Sequence, residues 1–244
     1  VGNIYPQLYS RTFFDGQREA GQDAVVNLVR CAWAGSQRYG ALVWSGDIHS
    51  TFADLRAQII AGIHMGIAGI PWFTTDIGGF NGGNIADPAF HELLVRWFQF
   101  GTFSPVMRMH GNRLPFEDIT AADGTSRLAS GAPNEPWSFG EEIEETLVSY
   151  IRLREALRPY TRRLMANAHT NGQPVIRGLF HEFPDDPHAW DVSDQYMFGP
   201  EVLVAPVIEA GARSRSVYLP GGATWTNAYT GETHTGGQTV VAEA

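Results

Sequence analysis

Residues 41–76 read ALVWSGDIHSTFADLRAQIIAGIHMGIAGIPWFTTD, and a short apolar run stands at each end. Ala41-Leu42-Val43-Trp44 runs into Ser45-Gly46-Asp47, and Gly69-Ile70-Pro71-Trp72-Phe73 runs through two threonines into Asp76. Between them, Phe52 to Ile67 places apolar residues at 52, 55, 59, 60, 63 and 67, the spacing of a helix. Strand, helix and strand in that order predict a parallel βαβ unit.

The pattern repeats outward. Upstream, Val25-Val26-Asn27-Leu28-Val29 ends at Arg30; downstream, Phe103-Ser104-Pro105-Val106-Met107 ends at Arg108 and His110. Asp87 and Pro88 open a further helix that continues through Leu93, Leu94, Trp97 and Phe98. Charged residues at the ends of successive runs fit the C-terminal face of a (β/α) barrel, where such enzymes place their sites. A doubly wound open sheet gives similar spacings. Four units make half a barrel, which leaves exposed edges, so the chain is expected to be a piece of a longer protein. The opening VGNIYPQLYSRTFF fits that expectation, with no initiator Met, basic start or apolar signal region. It reads as the middle of a helix-rich segment and leaves localisation open.

Residues 111–139 carry Gly, Pro, Asn and Ser with little periodicity and read as a long loop over the site face. Ser138 then precedes Glu141 and Glu142 at capping-box spacing. One helix is predicted from there to Asn171-Gly172. The arginines between 152 and 163 are expected on its solvated face, paired with nearby glutamates. After Pro174, short β-prone runs alternate with Pro-Asp-Asp, Gly-Pro and Gly-Gly turns. The expected organisation is the C-terminal half of a (β/α)8 TIM barrel over residues 1–172, followed by an antiparallel β-sandwich-type domain over 173–244.

Composition narrows the chemistry. With 43% hydrophobic and 18% charged residues, the 244-residue chain can bury a sizeable core and is not a disordered polymer. A formal charge of -9 argues against a nucleic-acid or anionic-membrane partner. No apolar run is long enough for a transmembrane helix. Every basic residue is arginine, which excludes Schiff-base, pyridoxal-phosphate and P-loop lysine chemistry. The single Cys31 excludes an internal disulfide and a cysteine zinc site. The 7 Trp, 8 Tyr and 14 Phe supply flat faces that suit sugars, and serve equally well as core.

Asp47 and Asp76 each follow an aromatic-bearing run and sit beside glycines. Two carboxylates on one barrel face are what acid/base hydrolysis of a glycosidic bond needs. Trp44 offers the apolar wall that would keep an acid protonated by desolvation. The alternative is structural: strand-end aspartates also cap the helices that follow. Arg30 and Arg108 either hold hydroxyls and orient the carboxylates, or form ion pairs in a barrel mouth. His110 either donates to a substrate hydroxyl or is simply hydrogen-bonded. A metal-dependent barrel hydrolase would use Asp47, His49, Asp76 and His110, but no HxH or helical His pair supports it.

These residues resemble a family. Arg30-Cys31-Ala32-Trp33-Ala34-Gly35-Ser36-Gln37, Trp44-Ser45-Gly46-Asp47, Asp76-Ile77-Gly78-Gly79-Phe80, Arg96-Trp97-Phe98-Gln99 and Met107-Arg108-Met109-His110 look like the ordered signature of glycoside hydrolase family 31. The resemblance extends over Leu153-Arg154 to Tyr160 and Pro206 to Pro220. It implies a retaining mechanism on α-linked glycosides, without cofactor or metal. Asp47 matches the general acid/base, and Arg30, Trp44, Asp76, Phe80, Arg108 and His110 match positions lining the sugar subsite. The family's nucleophile lies on an earlier strand in a Trp-x-Asp-x-x-Glu setting, and no such run occurs here. The resemblance therefore makes Asp76 a supporting carboxylate and puts the nucleophile upstream of Val1. Implied partners are an α-linked oligosaccharide or glycoside and the remainder of the parent chain. Both α-xylosidase and α-glucosidase stay open, the Trp44-Ser45-Gly46-Asp47-Ile48 form leaning to the first. An α-transglucosylase and a non-catalytic carbohydrate-binding relative are the alternatives.

Overall fold

The computed structural model describes residues 2–117, 120–125 and 130–244. A helix, α1 (Tyr5–Glu19), leads into β1 (Asn27–Val29) and then β2 (Ala41–Trp44). The predicted helix follows as α2 (Phe52–Ile67), and the chain returns as β3 (Phe73–Thr74). The three strands pair in the order β1-β2-β3, all parallel. The βαβ reading of residues 41–76 is what the structure shows. Thr51 caps α2 by accepting from the Asp54 amide, and Asp54 accepts in return from the Thr51 hydroxyl and the His49 amide. Such a cap contributes about 0.5–2 kcal/mol.

After β3 come β4 (Asn81–Asn84) and α3 (Pro88–Thr102), capped by Asp87 with Pro88 in its first turn. The apolar run 103–107 does not become a regular strand. Pro105 has no N–H to give a ladder, and the segment adheres to β3 through single contacts instead. Thr74 Oγ1 donates to the Val106 carbonyl at 2.9 Å, and Ile77 bridges Met109 in parallel.

The expected loop 111–139 is also partly ordered. In it, β5 (Asn112–Glu117) pairs parallel with β4 and antiparallel with β6 (Ser130–Ala132). Positions 118–119 and 126–129 of that expected loop lie outside the described residues. The single helix expected up to Asn171 is two, α4 (Glu141–Ala156) and α5 (Arg158–Asn171). Pro159 in the first turn of α5 cannot donate backward, and its ring excludes the carbonyl one turn earlier. Gly140, not Ser138, occupies the α4 N-cap; the Ser138 hydroxyl points to Glu135. Gly172 ends α5 in the left-handed conformation, as Asn171-Gly172 predicted.

Arginine 154 corrects a further expectation. It is not on a solvated face: its guanidinium donates to the carbonyls of Thr102, Ser104 and Pro105 at 2.7–2.9 Å. It thereby satisfies carbonyls left over at the end of α3 and pins the strandless segment to α4. Arg158 and Arg163 do pair with Glu155 and Glu201 in solvent, as expected.

The C-terminal part is antiparallel: β7 (Ile176–Arg177), a short helix α6 (Leu179–Glu182), β8 (Tyr196–Phe198) and β9 (Val202–Val204), then β10 (Ser214–Leu219), β11 (Thr224–Thr226), β12 (Thr233–Thr235) and β13 (Gln238–Glu243). It forms three small sheets, β7-β8-β9, β10-β13 and β11-β12. One core joins it to the parallel part. Leu55 and Ile59 of α2, Leu94 and Trp97 of α3, and Tyr196 and Phe198 of β8 are all buried together. Each such side chain contributes roughly 1.5–3 kcal/mol by leaving water. Tyr196 also donates its hydroxyl to the Phe103 carbonyl at 2.9 Å.

Candidate active site

The C-terminal ends of β1, β2 and β3 carry Arg30, Trp44, Asp47 and Asp76 to one face. Parallel pairing of Val29 with Val43, and of Trp44 with Thr74, sets these ends side by side. One Nη of Arg30 donates to both Asp47 carboxylate oxygens, at 2.9 and 2.7 Å. The same guanidinium lies over the Trp44 ring, 5.2 Å from its centroid. The Asp47 side chain keeps 39% of its exposure. Trp44 thus packs on the arginine that holds Asp47.

Asp76 is the opposite case. It is fully buried, and its Oδ1 accepts from Arg108 Nη2. Its Oδ2 and the Arg108 Nε are buried with no hydrogen-bond partner among the described residues. Burial pushes the Asp76 carboxyl above its ordinary value, against the opposing pull of Arg108 and His110. The Asp76 amide donates to Ser45 Oγ at 3.2 Å, so the ends of β2 and β3 are tied at the level of the two acids. Trp97 in α3 donates to the Thr75 hydroxyl at 2.9 Å and braces the same strand end from behind.

Neither aspartate caps a helix: Thr51 and Asp87 do that for α2 and α3. The structural alternative read from sequence is thereby removed. For the arginines the ion-pair reading and the carboxylate-orienting reading turn out to be one arrangement.

Beyond the strand ends, the two loops zip together. The Phe80 and Asn81 amides donate to the Ile48 carbonyl at 2.9 and 2.8 Å, and Asn81 Nδ2 donates to the Asp47 carbonyl at 2.7 Å. Gly79 makes this possible. Its φ is +77°, and a Cβ there would stand 2.5 Å from the His49 carbonyl oxygen. The loop closure aims Phe80 at His110, whose rings lie 5.5 Å apart at 32°. Phe80 is half-buried and His110 exposed. All seven residues singled out in the sequence thus gather in one region: two ion pairs, Trp44 under the arginine of the first, and one ring pair.

Two groups of residues escaped sequence reasoning. Ser45, Thr75 and Asn81 fix backbone at the strand ends through the bonds above. Arg113, at the start of β5, is completely buried and donates to loops from three different βα connections. An arginine in Gly-Asn-Arg-Leu-Pro carries no local signal of burial. Among the described residues, no three His, Cys, Asp or Glu side chains gather as a metal site, and His49 turns to Asp54 at 3.6 Å. Among them, too, no helix is long and apolar enough to cross a membrane.

Residues 1–164 match the TIM-barrel domain of glycosyl hydrolases family 31. The chain belongs to that family. Residues 172–244 match the glycosyl hydrolase family 31 C-terminal domain. An α-xylosidase of Saccharolobus solfataricus is 40% identical over 236 residues, covering 97% of this chain and 30% of that protein. α-Glucosidase 2 of Bacillus thermoamyloliquefaciens is 37% identical over 238 residues, covering 97% of this chain and 27% of that protein. The crystal structure of a family 31 α-xylosidase from a soil metagenome, complexed with xylose, superposes with a TM-score of 0.95 at 59% identity. It covers the whole of this chain, and the chain covers 36% of it. The chain spans roughly a third of the length of these relatives.

Proposed function

We propose that the protein is part of a retaining α-glycosidase in which Asp47 is the general acid/base. Arg30, Trp44, Asp76, Phe80, Arg108 and His110 form the sugar subsite. The observation that carries this reading is the placement of Asp47 in a family 31 chain: exposed at the end of β2, hydrogen-bonded to Arg30 and beside a buried carboxylate. A general acid must reach the glycosidic oxygen and later a water, and an exposed carboxylate on the strand-end face can. Asp76 cannot easily attack a sugar carbon, because it has no exposed surface and one oxygen is engaged by Arg108. It supplies fixed negative charge behind the subsite instead, where charge develops on the sugar in the transition state. Phe80 offers an apolar face, and Arg30 and His110 offer donors to hydroxyls.

The parallel units are read as the C-terminal half of a (β/α)8 barrel and residues 173–244 as a sandwich-type domain, with the boundary at 172/173. The nucleophile belongs to sequence outside these 244 residues. On that reading the 244-residue chain alone releases nothing from aryl α-glycosides. Release that disappears in Asp76→Asn would instead make Asp76 the nucleophile.

Between substrates, the similarity to the xylose-bound α-xylosidase and to that of S. solfataricus favours xylosides over glucosides. The test is to follow the product of the complete enzyme by NMR with an aryl α-xyloside and an aryl α-glucoside. Faster cleavage of the xyloside, with α-xylose appearing first, is expected. Initial β-xylose would overturn the retaining mechanism, and faster release from the glucoside would overturn the xyloside preference.

A further inference from the structure

Arg113 is buried to the last atom, yet among the described residues its hydrogen bonds go to no carboxylate. Its Nη1 donates to the Gly79 carbonyl at 2.8 Å and its Nη2 to the Ile77 carbonyl at 2.9 Å. Longer bonds reach the carbonyls of Gly78, Gly82 and His110 and the Ser50 hydroxyl, at 3.3–3.4 Å. Nε donates to Asn134 Oδ1 at 2.7 Å, and the plane lies over the Phe90 ring at 4.8 Å. The acceptors come from the connections after β2, after β3 and after the strandless segment, and from the stretch before α4. A guanidinium can do this because it presents five fixed donors in a plane; a lysine cannot. The fold makes room for it. A Cβ at Gly111 would come within 2.4 Å of the guanidinium, and one at Gly78 within 2.8 Å. Burial pushes its pKa down to about 10, so it stays charged at neutral pH.

We propose that Arg113 is a positioning residue for the sugar subsite: by clamping the backbones on either side of Phe80 and at His110, it sets the distance between those two side chains. This rests on the subsite reading above. Phe80 follows directly on the clamped Gly78-Gly79, and His110 is clamped at its own carbonyl. Neither side chain touches Arg113; both stand on backbone whose place it decides. Losing the guanidinium removes the backbone bonds on either side of Phe80 and at His110, and lets the ring pair drift. Misplacement of binding groups by about an ångström costs on the order of 10²-fold in rate.

The test uses the complete enzyme with Arg113→Lys and Arg113→Met. Arg177→Lys serves as control, a buried arginine of the C-terminal part that pairs with Glu182. All are expected to melt at lower temperature. Below melting, Arg113→Lys should weaken xylose binding and raise KM for an aryl α-xyloside by roughly 10–100-fold, while Arg177→Lys leaves both unchanged. The His110 imidazole resonance, assigned by its disappearance in His110→Gln, should also shift in Arg113→Lys without any ligand. An unmoved resonance together with unchanged KM and xylose affinity would overturn the proposal and leave Arg113 a stabilising residue. A shifted resonance in an enzyme whose wild type neither binds xylose nor cleaves α-glycosides would uphold the positioning and reject the glycosidase reading instead.

Discussion

Two guanidinium–carboxylate pairs stand on neighbouring strand ends, built from the same two residue types and surrounded differently. Arg30 and Asp47 retain 61% and 39% of their side-chain exposure, whereas Arg108 and Asp76 retain 23% and none. Two unit charges about 4 Å apart attract by roughly 1 kcal/mol in water and roughly 4 kcal/mol where the effective dielectric is nearer 20. Breaking the first pair is therefore cheap, and breaking the second strands a charge without solvent. The division suits a proton-transfer site. On the proposed reading, the acid that must give and take protons sits where its partner can be displaced, and the charge that must not move is buried.

The contrast can be broken from its stronger side first. Arg108→Met leaves Asp76 buried without its partner, and the expected loss is about 3–5 kcal/mol, read as a large drop in melting temperature. A loss as small as that of an exposed pair would mean Asp76 is not committed to Arg108. Next in size, Gly79→Ala forces a side chain into φ +77° against the His49 carbonyl. It should cost at least about 1–3 kcal/mol and impair catalysis, since the loops of the two acids meet there. A stable, fully active variant would show that the loop contact does not shape the site.

The buried pair also has a pH dependence of its own. Asp76 has its folded pKa raised, so the native state binds that proton more tightly than the unfolded chain. Its contribution to stability is greatest below the ordinary value of 3.8 and is lost as pH rises through the raised folded value. Melting temperatures of wild type and Asp76→Asn across acid pH should therefore differ by an amount that changes in that window and levels off above it. A difference independent of pH would mean that Asp76 binds its proton equally in the folded and unfolded states. The smallest effect belongs to the exposed pair: Arg30→Ala should alter stability by less than about 1 kcal/mol, yet lower kcat/KM on α-xylosides severalfold or more. A clear drop in melting temperature with normal kinetics would make Arg30 structural.

What could be read from the sequence was what repeats locally. The period of Phe52–Ile67 gave α2 its ends, and Asp87-Pro88 gave α3 its start, because cap and periodicity lie within the same few residues. The candidate site residues could be picked out because the ends of successive apolar runs carry charged residues in order. The break between α4 and α5 was also written locally, in Pro159, but apolar spacing runs straight across it. The ordering of 111–117 was not local at all. The strand β5 has little apolar pattern, and its partners are a glycine-rich NGGN strand and a segment thirteen residues beyond its end. Arg154 and Arg113 escaped for the same reason. Most of their acceptors are backbone carbonyls many residues away, and a carbonyl has no letter in a sequence.

Asp47 carries the proposed chemistry, and the most direct measurement is steady-state and burst kinetics of Asp47→Ala in the complete enzyme on paired substrates. A retaining enzyme needs the group first to protonate the leaving oxygen and then to activate water. The fluoride of an α-xylosyl fluoride leaves without needing a proton, so glycosyl-enzyme should still form from that substrate, with a burst and a lowered KM. An oligosaccharide has a poor leaving group and should lose roughly 10²–10⁴-fold. Azide needs no general base, and should speed turnover of the fluoride and give the α-xylosyl azide. Equal losses on both substrates with no effect of azide, or a β-azide product, would contradict Asp47 as the acid/base.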